Sequence, residues 1–137
     1  MMAETKDQAL SLSIVSGCPP TPAGVQLSAS RLLQQQHAVR DATTRLARTP
    51  PHALEYQRLA HAYERRLADA LQDRVVLRDE MRAFGGYLRR QDVRPEHVVP
   101  CVRQAIGAAA RAMQLPVEEL LQRDVVTWAI QGYYAAE

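Results

Sequence analysis

The chain is poor in lysine and in aromatic residues, and it lacks any long apolar run. Lys6 is the only lysine among 17 basic residues, and such an arginine bias is more typical of a GC-rich genome than of a particular function. Aromatic residues make up 5% of the chain, so a core must be aliphatic and rich in alanine. No apolar stretch approaches the roughly 20 residues that a membrane-spanning helix needs.

Cysteine is also scarce, with only Cys18 and Cys101, and neither a disulfide framework nor a CxxC metal site is indicated. The residues Val15–Cys18 resemble a bacterial lipoprotein cleavage box. However, Glu4 and Asp7 make the first residues acidic, whereas a signal peptide begins with basic residues. The cytoplasm is therefore the expected location.

A chain of 137 residues suits one domain, and 47% hydrophobic residues are enough for a core. Residues 1–27 are rich in proline, glycine, serine and threonine, which predicts a disordered N-terminal tail. Residues 28–137 are predicted to form a single all-α domain of four or five helices in an irregular or antiparallel bundle. The formal charge of +2 does not demand an acidic partner.

The segment from Leu54 to Leu88 carries the most regular pattern in the chain. Apolar residues recur every three or four positions, which is typical of a helix with one buried seam. The seam consists of Tyr56, Ala60, Tyr63, Leu67, Ala70, Leu77, Met81, Phe84 and Leu88. Arg74 interrupts it, so residues 52–90 form either one long central helix or a pair of helices meeting near Arg74. Gly85 and Gly86 either allow close approach of another helix or begin to fray this one.

The remaining helices are predicted from proline and capping residues. The first helix is expected to start at Ser28 or Ser30, and the third starts at Pro95. Pro116 is expected to begin the last helix, which is apolar around most of its circumference and is therefore predicted to be buried on several sides.

The C-terminal half also resembles a known group of proteins. Pro95-Glu96 is followed by Val98-Val99, and the last helix reads V-V-x-W-x-I-x-x-Y-Y over residues 125–134. In these features, residues 75–137 resemble a loose group of short, uncharacterised bacterial helical proteins. The resemblance implies a bacterial, helical protein, and it implies no activity and no catalytic residues.

No set of residues for catalysis or metal binding is indicated. A di-metal bundle uses Glu-x-x-His, whereas this chain has the reversed order at His52 and His61, on opposite faces of an ideal helix. His97 and Cys101 are spaced to meet on one helix face, but a buried cysteine beside a helix-terminal histidine explains this spacing. We therefore expect no enzyme, no catalytic residue, no metal and no cofactor.

Two functional hypotheses remain. The first is a non-catalytic interaction or regulatory module, with a protein partner or a homodimer. Its candidate interface residues are Trp128, Tyr133 and Tyr134, and both tyrosines can bury their rings while their hydroxyls stay in water. The alternative is a small nucleic-acid-associated regulator. Its candidate residues lie close to one helix face and are Arg74, Arg78, Arg82 and Arg89. Acidic residues interleave with these arginines and no aromatic residues alternate with them, so the first hypothesis is favoured.

Overall fold

The computed structural model describes residues 18–136, and within that range it contains helices and no strands. The helices are α1 (Ala23–Arg48), α2 (Leu54–Arg90), α3 (Pro95–Met113) and α4 (Glu119–Ala135). The predicted all-α bundle is confirmed, with four helices among the described residues. Of the predicted tail, residues 1–17 lie outside the described residues.

The first described helix begins at Ala23, so the predicted helix start at Ser28 or Ser30 is wrong. Pro22 precedes the helix with φ −58°, and its carbonyl accepts the N–H of Val25 at 3.1 Å. Proline suits such a position because its fixed φ matches the start of a helix and it has no N–H to leave unpaired. Ser28 is buried, and its hydroxyl donates to the carbonyl of Gly24 at 2.7 Å. Ser28 is therefore an interior residue of α1 rather than its cap.

The long seam forms one uninterrupted helix, α2, which extends over about 55 Å. Its second half buries the predicted seam residues Leu77, Met81, Phe84 and Leu88. Arg74 does not break the helix, because its side chain leaves the seam and reaches towards α4. The choice between one helix and two is thereby settled in favour of one.

The bundle is arranged so that α2 packs along both α1 and α4, while α3 also packs along α1 and α4. The core is aliphatic, as the scarcity of aromatic residues predicts. Its largest fully buried side chains are Phe84, Leu32, Leu33, Leu77, Met81, Leu88, Leu121, Val25, Val98, Val102 and Val125.

The backbones of α2 and α4 approach each other closely at two glycines. A Cβ on Gly85 would overlap the carbonyl of Ala129 and would lie 2.7 Å from the amide nitrogen of Tyr133. A Cβ on Gly132 would overlap the backbone of Arg82 in the same way. Of the two predicted roles for the glycine pair, Gly85 therefore has the close-approach role.

A left-handed residue ends α2 and turns the chain towards α3. Asp92 has φ 58°, and its N–H donates to the carbonyl of Arg89 at 3.1 Å. The N–H of Val93 donates to the carbonyl of Leu88 at 3.0 Å. These two bonds form a Schellman closure, in which the apolar residue after the turn packs back on the helix. Val93 is accordingly buried.

A disulfide joins Cys18 to Cys101, with the two Cα atoms 5.3 Å apart. The expectation that no disulfide is present is therefore wrong. Cys101 is buried in α3, and α1 packs on the same helix, where Gln26 donates to the carbonyl of Ala105 at 3.4 Å. This packing brings together cysteines separated by 83 positions. In the chain-entropy model, a cross-link of that length stabilises the fold by about 4–5 kcal/mol.

The last helix differs from its prediction in two respects. It starts at Glu119 rather than at Pro116, and it is not buried on several sides. One stripe with a spacing of four residues is buried, and it consists of Leu121, Val125, Ala129 and Tyr133. Leu120, Ile130 and Tyr134 remain exposed. A single buried stripe suffices because α4 packs mainly along α2 and to a lesser extent along α3.

Replacing Gly85 by alanine tests the backbone contact. We expect Gly85→Ala to lower the free energy of unfolding by about 2–3 kcal/mol, because the backbone of α4 has no room to yield to the added methyl group. Gly86→Ala is the matched control, since its Cβ would meet the mobile end of Arg90 at 3.3 Å. We expect that variant to be neutral or about 1 kcal/mol more stable. Urea unfolding followed by circular dichroism measures both, and equal stabilities would contradict the contact.

Candidate functional site

The first half of α2 and the second half of α1 form a helical arm, which we define as residues 34–76. No residue between Leu33 and Leu77 is buried. The segment between α3 and α4 reaches α1 at Arg40, where Glu118 pairs with Arg40 at 2.7 Å. It covers no part of the arm beyond this ion pair. From Arg40 to the end of α1, and in the facing first turns of α2, the two helices contact chiefly each other. The predicted seam is therefore a core in the second half of α2 and only a half-covered contact in the first half.

Apolar side chains on the arm face solvent. Leu67, Leu71 and Val75 lie four residues apart on one flank of α2, with exposed fractions of 36%, 64% and 46%. Gly85 lies on the same flank, about five helical turns further along. At Gly85 that flank is covered by α4, whereas at Leu67 it is open. A contiguous apolar row of this kind is typical of an interaction surface.

An open groove of about 450 Å³ runs beside this row, between the two helices of the arm. Its lining combines an apolar floor with polar side chains from α1. The lining residues are Leu32, Gln36, Val39, Arg40, Thr43, Thr44, Leu67, Ala70, Leu71, Arg74 and Glu118. Arg40 pairs with Glu118 and Arg74 pairs with Asp124, so both cations of the groove have anionic partners.

The four candidate nucleic-acid-binding arginines lie along the side of α2 that faces α4. Arg74 forms an ion pair with Asp124, and its guanidinium lies 5.1 Å from the centre of the Trp128 ring. Arg82 donates two hydrogen bonds to Gln131, at 3.1 and 3.3 Å.

Of the other two arginines, Arg89 contacts α4 and Arg78 does not. The guanidinium of Arg89 lies 5.2 Å from the centre of the Tyr133 ring. Arg78 is half-exposed, and it pairs with the neighbouring Asp79 at 3.3 Å. Three of the four candidate arginines thus contact α4, and the predicted arginine face is largely the boundary between two helices.

The three candidate interface residues of α4 occupy three different environments. Trp128 is half-buried against the core, below Arg74. Tyr133 is 4% exposed, and its hydroxyl donates to the carbonyl of Val93 at 2.6 Å. This hydroxyl therefore does not stay in water, because the Schellman turn presents a carbonyl to it. Tyr134 is 63% exposed and is the only fully accessible member of the three.

Sequence reasoning missed Leu71 and Val75 as surface residues. They were overlooked because the buried seam is the strongest pattern in α2, and Leu67 was assigned to that seam although it also begins the exposed row. The spacing of four residues from Leu67 through Leu71 to Val75 was the available signal. Recognising it would have required knowing where α4 stops covering α2.

The described residues contain no group of three or more histidine, cysteine or acidic side chains placed to hold a metal ion. His52 and His61 are exposed near the start of α2. The spacing of His97 and Cys101 does not provide a nucleophile in this structure, because the sulfur of Cys101 is bonded to Cys18. Lipidation of Cys18 would require the same sulfur atom and so is incompatible with the disulfide.

Comparisons with protein-family models, curated proteins and solved structures find no match to this chain. The resemblance of residues 75–137 to short bacterial helical proteins therefore stays a prediction. In the described part of the chain, no helix has both the length and the apolar character needed to cross a bilayer.

The two adjacent tyrosines offer a matched test of the site. Tyr133→Phe is expected to lower the free energy of unfolding by about 1–2 kcal/mol, because it leaves the Val93 carbonyl without its donor. Tyr134→Phe should change stability by less than about 0.5 kcal/mol, because its hydroxyl is at the surface. Thermal and urea unfolding measure both variants. Similar losses in the two variants would mean that the hydroxyl of Tyr133 has no special partner.

Proposed function

We propose that the protein is a non-catalytic interaction module that binds another protein through the helical arm. The observation that carries this proposal is the absence of any buried residue between Leu33 and Leu77, together with the exposed row Leu67, Leu71 and Val75. A bundle that needed these three residues only for its own core would bury them. The arm instead presents them to solvent.

The bundle supplies what such an arm needs. Because α2 is continuous, the exposed half is held in place by the half that is buried in the core. A preformed helix loses little conformational entropy on binding, so more of the contact energy remains as affinity. Covering Leu71, which is 64% exposed, contributes about 1–2 kcal/mol if its exposure is fully removed.

Nucleic-acid binding is the competing interpretation, and the contacts of the arginines favour it less. Arg74 and Arg82 are engaged by Asp124 and Gln131, so a phosphate would have to compete with partners already in place. A phosphate-binding surface usually presents free cations in excess on one face.

We also propose a cytoplasmic location, which the redox state of Cys18 and Cys101 can test. Cytoplasmic reductants keep most thiols reduced, so Cys18 and Cys101 should be reduced in growing cells and should pair on oxidation. Blocking thiols with a maleimide before lysis and separating the products by mass measures this state. Finding the pair oxidised in unstressed cells would contradict a cytoplasmic location.

The proposed function is tested by cross-linking in the cells that make the protein. A photoreactive benzoylphenylalanine at Leu71 should give a discrete adduct on irradiation. The matched control is Leu27, which is 63% exposed against 64% for Leu71 but lies on the bundle part of α1. No adduct at Leu71, or equal adducts at both positions, would contradict binding through the arm. Adducts removed by nuclease would support the nucleic-acid interpretation instead.

A further inference from the structure

The exposed row on α2 is flanked by one acidic and one basic residue at equal distances. Glu64 precedes Leu71 by seven positions and Arg78 follows it by seven, while Leu67 and Val75 lie four positions to either side. At about 100° per residue, all five side chains fall within about 80° of the helix circumference. We call these five residues the α2 stripe.

Every residue of the α2 stripe keeps exposed surface, including Arg78, which lies next to α4. Glu64 is exposed, the three apolar residues keep at least 36% of their surface, and the side chain of Arg78 keeps 39%. Within residues 18–136, Glu64 has no ion-pair partner, and Arg78 pairs only with its neighbour Asp79 on the same helix. The charge of Glu64 is therefore available to a partner, whereas Arg78 would exchange only a contact with its neighbour on the same helix.

The order of the stripe makes it complementary to itself in one orientation. If two copies of α2 cross antiparallel at Leu71, each Leu67 faces Val75 of the second copy, and each Glu64 faces Arg78 of the second copy. A parallel arrangement would instead place like charges opposite each other, which is unfavourable. A surface that pairs with its own copy about a two-fold axis is the usual basis of a homodimer.

We propose that the partner of the helical arm is a second copy of this chain, bound antiparallel through the α2 stripe. This inference rests on the proposed function and specifies the partner. The dimer covers the three exposed apolar residues and closes the open flank of the groove at Leu67 and Leu71. Two ion pairs, one at each end, set the orientation and the register.

Size-exclusion chromatography with light scattering on the full chain tests the proposal, at concentrations up to about 100 µM. The wild type should have about twice the 15.3 kDa mass of one chain. Leu71→Glu should weaken association at least about 30-fold, because a charge is placed on the two-fold axis. Leu54→Glu is the control, since Leu54 is 94% exposed on the same helix but lies off the stripe. That variant should remain dimeric.

Exchanging the charges tests orientation and register. Glu64→Arg and Arg78→Glu should each weaken the dimer about tenfold, because each places like charges opposite each other across the interface. The double variant Glu64→Arg/Arg78→Glu should restore the wild-type affinity, which a loss of folding would not do. Thermal unfolding of each variant at low concentration confirms that the monomer is intact.

Three results would overturn the dimer: a wild type that is monomeric at all concentrations, a Leu71→Glu variant that remains dimeric, or a double variant that is no tighter than the single ones. The proposed function is judged separately by the adduct at Leu71. An adduct with a different protein, beside a monomeric wild type, rejects the second copy and leaves the arm as a binding site. The absence of any adduct rejects both.

Discussion

The direct contact between the backbones of α2 and α4 is the constraint on which the rest of the structure depends. Gly85 and Gly132 allow the two helices to touch without intervening side chains, so α4 has one position along α2. Longer side chains then bridge the boundary on either side, with Arg74 reaching Asp124 and Arg82 reaching Gln131. Because α4 is held there, Arg74 meets its second turn at Asp124, and the first turns of α2 lie beyond the start of α4.

The helix α2 therefore contributes both a buried core and an exposed surface, although its apolar spacing is the same along its length. The second half of α2 is a core element, in which Leu77, Met81 and Leu88 are fully enclosed. In the first half, the same three-and-four spacing meets only the thin apolar stripe of α1, and Leu71 stays exposed. The difference comes from the neighbours available at each level and not from the periodicity of the helix. The surface proposed for binding is thus a consequence of the length by which α2 exceeds its neighbours.

Much of this fold follows from local rules that act within a few residues. The period of the α2 seam, the proline at the start of α3 and the glycine pair all depend on short-range chemistry, and each led to the observed helix. The errors concern relations between distant parts of the chain. Nothing near Cys18 or Cys101 indicates that they meet. The burial of the Tyr133 hydroxyl depends on a turn that lies some forty residues earlier in the chain. The start of α1 was missed for a local reason, since the prolines before Ala23 were interpreted as part of a coil.

The candidate site was partly predictable for the same reason. The arginines of α2 were correctly seen to share a side of the helix, but their partners on α4 depend on how the two helices pack. Leu67 was noticed as a seam residue, whereas the exposure of Leu71 and Val75 depends on which side of α2 is covered by α1 and α4. The sequence pattern identifies the apolar residues of a helix, and the neighbouring helices decide which of them remain on the surface.

The position of the disulfide divides the chain topologically. When Cys18 and Cys101 are joined, α1, α2 and the first turns of α3 lie inside a closed covalent ring, while the rest of α3 and all of α4 lie outside it. The helix α4 can detach from α2 without opening the ring, because α4 lies outside the loop that the disulfide closes. The ring limits the separation of α1 from α3 but does not hold α4 on α2. The attachment of α4 thus depends on noncovalent packing in either redox state, with the glycine contact at its centre.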